Sequence, residues 1–408
     1  MPVLKTTAFL KTTLAAAALV IAGSLPASAD AGFRRWISDF EQTAVSNGVS
    51  RDVYRAVFSG VSEPDLDVIE RARFQPEFKD QIWDYLDNRV HDESVAEGRQ
   101  KLREWGPWLD RIEKRFGVDR HILLAIWSME SNYGRALENR ERLKSVPQAL
   151  ATLAYLDKRR AKFARQQLIA ALKIVQKGQV SPEGLTGSWA GAMGHTQFIP
   201  TSYQAWAVDI DGNGRADIWN SVPDALATAA NLLKDNGWRS GRTWGYEVVA
   251  PSGRNIAGLD RANKTLAEWE RLGFRRPSGR GFPNPSDNAN LVMPGGPDGP
   301  VFLMTKNFFV IKNYNNADTY ALAVGHLADR IAGGGEFAQA WPRGYTPLSM
   351  RERCELQQLL TSHGLYDGKI DGKIGSGSKL AITAFQRRTG VAADGNASKA
   401  LLDMMRGR

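Results

Sequence analysis

The 408-residue chain is 43% hydrophobic, 24% charged and 9% aromatic, a globular composition that excludes a fibre or an acidic disordered tail. Lys plus Arg number 53 against 44 Asp plus Glu, but the basic residues are dispersed, with no run beyond Lys158-Arg159-Arg160 and no nucleic-acid motif. The single cysteine, Cys354, excludes an intramolecular disulfide and a cysteine-based zinc site and reads as a buried apolar thiol.

The first 29 residues read as a secretory signal. Lys5 and Lys11 supply the positive region, residues 14–22 a short apolar core, and Ala27-Ser28-Ala29 the small-residue cleavage site. The apolar run is too short to span a bilayer, and no cysteine follows it to carry a lipid. With the signal removed at Asp30, the formal charge falls from +9 to +7 as the two lysines leave. The sequence therefore predicts an exported soluble protein, not a lipoprotein, with no transmembrane segment in the mature chain.

Residues 30–115 are expected to be helical throughout. Phe33, Trp36, Ile37 and Phe40 recur at helical spacing, as do Ile82, Trp83, Tyr85 and Leu86, and these aromatics read as core. From 116 to 240 helical stretches alternate with glycine-punctuated loops at 184–194 and 209–217. The Pro-, Gly- and Asn-rich stretch 275–300 reads as a long surface excursion without an element of its own. Residues 301–311 suit a strand or a hairpin, and 315–332 a helix with Ala321, Val324, Leu327, Ala328 and Ile331 on one face. Glycines 333–335 and the segment 341–347 mark a linker. A compact unit with three helices, at 348–363, 376–390 and 397–406, follows it. The division is thus a signal at 1–29, a main domain at 30–335, a linker at 336–347 and a small C-terminal domain at 348–406.

The most informative segment is residues 116–134, a helix that Gly134 ends. Asp119 is its N-cap, and Ile122, Leu123, Ile126 and Trp127 form an apolar stripe that Glu130 extends at i+4 and i+3. A carboxylate on a buried stripe is costly unless paired or protonated, and desolvation there raises its pKa toward that of a general acid. By itself the pattern also fits a solvated glutamate at a helix end. Downstream, residues 187–200 hold three glycines within eight residues, which suits a tight loop near an extended ligand, with Ser188 and Gln197 as hydrogen-bonding side chains. Asn313-Tyr314-Asn315 and Tyr320 then supply residue types that stack on and hydrogen-bond sugars.

Glu130-Ser131-Asn132-Tyr133-Gly134, the loop Gly191-Ala192-Met193-Gly194-His195-Thr196-Gln197-Phe198 and Tyr314-Asn315, in this order, resemble the membrane-bound lytic murein transglycosylase B family over about residues 32–335. The resemblance implies a mainly α, lysozyme-like catalytic domain with extra helical regions. It also implies periplasmic action on peptidoglycan in wall turnover or remodelling. Glu130 becomes the single acid/base, cutting between N-acetylmuramic acid and N-acetylglucosamine without water and leaving 1,6-anhydro ends. It further implies that Tyr133, Ser188, Gln197, Tyr314, Asn315 and Tyr320 contact the glycan strand, and that Arg159 and Arg160, in a helical Arg-Arg segment, meet the acidic stem peptide. Histidine has no role there in the family, so His195 reads as a rim residue. No second carboxylate accompanies these motifs, whereas a hydrolytic glycosidase usually needs two. A hydrolytic muramidase and a non-catalytic wall-binding protein are the rival readings.

Residues 209–217 follow the spacing of a calcium-binding EF-hand loop, with oxygen ligands from Asp209, Asp211, Asn213 and Asp217 and glycine at position six. Asn220 stands where the bidentate Glu is usual. The family closes a similar loop with a later aspartate, for which Asp224 is the match. A structural calcium and an ion-free Asx-turn loop both fit; no cofactor is needed for the chemistry. Residues 367–373 look superficially alike, but Lys369 occupies a ligand position, so that stretch reads as a turn. Residues 348–406 resemble the peptidoglycan-binding domain 1 family through Leu356-Gln357-Gln358-Leu359-Leu360, Asp371-Gly372-Lys373-Ile374-Gly375, Ala384-Phe385-Gln386 and Asp394-Gly395. That resemblance implies a three-helix module holding the enzyme to the wall. Arg387-Arg388 reads as surface.

Overall fold

The computed structural model describes residues 25–73 and 81–407. Most of the expected signal, residues 1–24, lies outside the described residues, and its last five residues belong to the first helix. Three helices, α1 (Leu25–Ser46), α2 (Arg51–Phe58) and α3 (Leu66–Arg73), lead to α4 (Ile82–Arg89), α5 (Asp92–Glu104), α6 (Gly106–Phe116) and α7 (Arg120–Ser131). Helix α7 is capped by Asp119, whose carboxylate accepts the His121 N–H, and every residue from Ile122 to Met129 is buried. A helix apolar on all sides belongs at the centre of a domain, and α7 packs against α5, α6 and two later helices, Val222–Asp235 and Asp318–Ile331.

A short α8 (Arg135–Glu138) precedes β1 (Lys144–Ser145), α9 (Val146–Leu156), α10 (Ala161–Gln176), β2 (Thr186–Gly187), α11 (Pro200–Trp206) and α12 (Val222–Asp235). Strands β1 and β2 pair antiparallel, with Lys144 opposite Gly187. Ser145 and Ser221 cap α9 and α12, each followed by a proline in the first turn, where a missing N–H costs nothing.

The next stretch departs from expectation. Strands β3 (Gly245–Val248), β4 (Asn263–Thr265), β5 (Asn288–Val292) and β6 (Val301–Met304), with α13 (Leu266–Arg271) after β4, form an antiparallel sheet ordered β3-β6-β5-β4. Residues 275–300 are therefore no bare excursion, since β5 lies within them and Leu291 and Val292 are fully buried. Residues 301–311 resolve into β6 and then α14 (Lys306–Lys312), neither a lone strand nor a hairpin. Strand alternation explains the unbroken apolar run of β6. Val301 and Leu303 enter a small core with Trp269, Phe274 and Leu291, while Phe302 and Met304 enter the main core with Trp244 and Phe308. The sheet partitions two cores.

Helix α15 (Asp318–Ile331) returns to the centre beside α7. The C-terminal unit comprises α16 (Met350–Ser362), α17 (Ser376–Thr389) and α18 (Lys399–Met405), with a core of Leu356, Leu360, Ile382, Phe385 and Leu402. Two motif glutamines pin its loops. Gln357 Oε1 accepts the Asp371 and Gly372 N–H groups, and Gln386 Oε1 accepts that of Gly395. Cys354 is half-buried, not buried as expected, because it sits toward the edge of this small core. Arg387 and Arg388 are exposed.

Candidate active site

Glu130 occupies the last turn of α7. The helix ends abruptly: Asn132, Tyr133 and Gly134 all adopt positive φ, at 52°, 55° and 92°. Two consecutive non-glycine residues in this region store backbone strain, which persists only where the surroundings enforce it. Gly134 is required, because a Cβ there would lie 2.7 Å from the His195 ring. The turn is held by Ser131, whose hydroxyl donates to the His195 carbonyl at 2.6 Å and accepts the Gly134 N–H at 3.0 Å.

The Glu130 carboxyl is desolvated by burial, which lifts its pKa from 4.5 to about 7. Tyr320, from the first turn of α15, donates its hydroxyl to Glu130 Oε1 at 2.6 Å, and the Arg89 charge also opposes the rise. Among the described residues no second carboxylate joins the groups acting on Glu130. Tyr314 lies nearly parallel to Tyr320, with ring centroids 6.5 Å apart, and donates its hydroxyl to the Thr196 carbonyl.

The glycine-rich loop is pinned to both sides. His195 Nδ1 accepts the Trp127 indole N–H at 3.2 Å, and the His195 N–H donates to the Ile218 carbonyl at 2.9 Å. Burial drives the imidazole down to about 4, so it is neutral and its Nδ1 is free to accept. His195 is thus a strut to α7, and the expectation of a rim residue is corrected. Gly194, at φ 67°, brings the backbone against the Ile218 carbonyl, where no Cβ fits.

The structure separates the expected glycan contacts into three groups. Tyr320 meets Glu130 directly, Tyr314 stacks beside Tyr320, and Asn315 is exposed. Ser188 and Gln197 shape the loop: the Ser188 hydroxyl accepts the Ala190 and Ala192 N–H groups, and Gln197 Nε2 donates to the Gly194 carbonyl at 2.8 Å. Tyr133 is buried, with its hydroxyl donating to the Ser94 carbonyl at 3.0 Å, so it packs α7 on α5. Arg159 and Arg160 lie in the turn before α10, not within a helix. Arg160 pairs with Asp157 at 2.6 Å and covers the Trp189 ring, whereas Arg159 is exposed. Sequence reasoning missed Arg89 and His195; the i+4 spacing of Tyr85 and Arg89 was the available signal for the former.

In the acidic loop, carboxylate oxygens of Asp209, Asp211 and Asp224 all lie within 4.8 Å of one another. Asp217 instead accepts the Trp219 and Asn220 N–H groups, and Asn213 Oδ1 accepts that of Arg215. Three converging carboxylates, one of them fully buried, are a donor set that a hard cation fits. Helix α12, which carries Asp224, touches the glycine-rich loop, since Thr196 Oγ1 donates to the Ala225 carbonyl.

A central buried helix ending in one desolvated glutamate, faced by a tyrosine and a pinned glycine loop, lies at the heart of a mainly helical enzyme domain. The family model for the transglycosylase SLT domain matches residues 32–329, and the chain belongs to that family; a peptidoglycan binding domain matches 349–405. The fold is the lysozyme-like one of its structural neighbours. A crystal structure of SltB3 from Pseudomonas aeruginosa in complex with NAG-NAM-pentapeptide is 44% identical, covering 92% of this chain and 99% of that one, with a TM-score of 0.73. Soluble lytic transglycosylase SltB1 of the same organism is 26% identical over 74% of this chain and 98% of that one, with a TM-score of 0.59. Membrane-bound lytic murein transglycosylase B of Escherichia coli K12 is 30% identical over 253 residues, 61% of this chain; the chain spans 66% of that relative's length.

Proposed function

We propose that this chain is an exported peptidoglycan lytic transglycosylase, with Glu130 as its one acid/base. The observation that carries the reading is a lone carboxyl raised to about 7 and held by Tyr320, with no carboxylate partner among the described residues. A relative's complexes with NAG-NAM-pentapeptide and NAG-anhNAM-pentapeptide support the substrate class.

At neutral pH a pKa of about 7 leaves much of Glu130 protonated, as a general acid requires. It delivers that proton to the glycosidic oxygen as the bond from muramic acid C1 breaks, and N-acetylglucosamine leaves as an alcohol. The resulting carboxylate, steadied by the Tyr320 hydroxyl, takes the proton from the muramic acid C6 hydroxyl while that oxygen bonds to C1. Protons balance, Glu130 is regenerated and no water enters. A nucleophile within the sugar replaces the second carboxylate of a hydrolase.

Tyr314, Asn315 and Tyr320 line the glycan path in this reading, Ser188 and Gln197 hold the loop that borders it, and exposed Arg159 faces the stem peptide. Residues 1–29 direct export to the periplasm without lipid attachment; among the described residues no helix is long and apolar enough to cross a membrane. Residues 30–335 form the catalytic domain and 348–406 the wall-binding one, with 336–347 between them. Asp209, Asp211 and Asp224 would hold a structural calcium that stiffens the loop behind His195. Replacing Glu130 by Gln keeps the shape and removes the proton. Release of soluble muropeptides should vanish while the protein still pellets with insoluble wall, and retained release would overturn the acid assignment.

A further inference from the structure

Helix α4 is eight residues long and lacks a side-chain N-cap, too short to be stable by itself. Ile82 and Leu86 anchor it in the main core, against α15. Its remaining residues divide by helical spacing. Arg89 turns toward the end of α7, and its guanidinium covers the ring of Tyr85, four residues before it, at 5.7 Å from the centroid. Arg89 Nη1 donates to the Met129 carbonyl at 3.3 Å, its charge acts on Glu130, and Tyr85 acts on Tyr320.

Asp84, Asp87 and Asn88, at i, i+3 and i+4, are taken by the C-terminal unit and the segment leading to it. Arg343 grips Asp87 with both nitrogens at 2.5 and 2.8 Å. Lys379 and Tyr345 donate to the two oxygens of Asp84 at 2.8 and 3.2 Å. Asn88 Oδ1 accepts from Arg353 Nη1 and the Ile374 N–H, its Nδ2 donates to the Ile374 carbonyl, and Arg353 Nη2 donates to the Asp87 carbonyl at 2.7 Å. Arg353 and Lys379 are only 5% and 6% exposed. Lys379 is paired with Asp84 and Arg353 is hydrogen-bonded through both terminal nitrogens, and buried charges are tolerated only where such partners stand in place, so the contact specifies a single seat for the unit. A bare tether has no need of it.

We propose that the C-terminal unit is a positioning element of the active site, gripping α4 so that Arg89 stands beside Glu130. The proposal rests on the reading of Glu130 as the catalytic acid, and its residues act through Arg89 without touching substrate. Burial, and after it the charges of Arg89 and Arg135, hold the pKa of Lys373, in the C-terminal unit, below its ordinary value.

The test uses the full chain on soluble glycan-strand fragments, which need no anchoring to wall. Asn88→Ala should lower kcat by roughly 10- to 100-fold, as small misplacements of catalytic groups do, with KM little changed. Glu130 is faced by Arg89 from α4, by Tyr320 from α15 and by Tyr314. Loosening Arg89 alone should therefore move the alkaline limb of the pH profile upward, as Arg89→Ala itself should. The double variant should be no slower than Arg89→Ala, because both act through one group. Arg343→Ala, which leaves α4 unaltered, must reproduce the loss, and all variants must still pellet with insoluble wall. A wild-type kcat and pH profile in Asn88→Ala and Arg343→Ala, or losses that multiply in the double variant, would overturn the proposal. Cleavage by Glu130→Gln would overturn the acid reading itself, whatever Asn88 does.

Discussion

Replacing Tyr320 by Phe deletes one oxygen and leaves the stacked ring in place. In the native protein that hydroxyl donates to Glu130 Oε1 at 2.6 Å and favours the ionised carboxylate, against a pKa already raised by burial to about 7. A hydrogen bond to a charged group is worth about 1.5–3 kcal/mol, which corresponds to about one to two pKa units. The alkaline limb of kcat/KM should therefore move upward by about one to two units. Stability carries the same signature. Because the folded pKa of Glu130 lies above its unfolded 4.5, this group lowers stability as pH rises from 4.5 to about 7. Tyr320→Phe extends that fall to higher pH, whereas below 4.5 both states are protonated and only a neutral hydrogen bond is lost, about 1 kcal/mol. A pH–rate profile on soluble strands, paired with urea melts at about pH 4 and pH 9, reads both effects. A limb that stays put or moves downward would refute the account, as would a stability loss equal at both pH values.

Gly194→Ala forces a Cβ onto the Ile218 carbonyl at φ 67° and should cost about 2 kcal/mol or more in a thermal or urea melt; an unchanged midpoint would contradict the packing of the loop. His195 has a folded pKa of about 4, below its unfolded 6.5, so its contribution is present above 6.5 and lost as pH falls toward 4. His195→Gln should flatten that acid fall in stability, and a slope identical to wild type would place the imidazole elsewhere. Calcium should raise the melting midpoint of the wild type but not of Asp224→Asn, in which a buried ligand charge is gone. No shift in the wild type would return the loop to an ion-free turn.

Much of the fold was legible because its signals are local. Helix α7 carried its cap, its apolar stripe and the anomalous Glu130 within a dozen residues, and the two module glutamines sat in recognisable motifs. The sheet was not legible. Strand β4 is three residues long, β5 hides among prolines and glycines, and β6 lacks alternation because both of its faces are buried. Tyr133 illustrates the limit of motif reasoning. It sits three residues from Glu130, yet the left-handed turn swings its ring into the core. Arg89, 41 positions upstream of Glu130, reaches the site only through tertiary packing, and Asn88 beside it faces the other way.

The most direct measurement is mass spectrometry of the fragments released from purified peptidoglycan by the mature protein in heavy-oxygen water. A single acid with a sugar-borne nucleophile predicts 1,6-anhydro ends, lighter by one water than hydrolysis products and free of heavy oxygen. Reducing ends carrying the heavy oxygen would mean that water attacks C1, and the non-hydrolytic mechanism would fall.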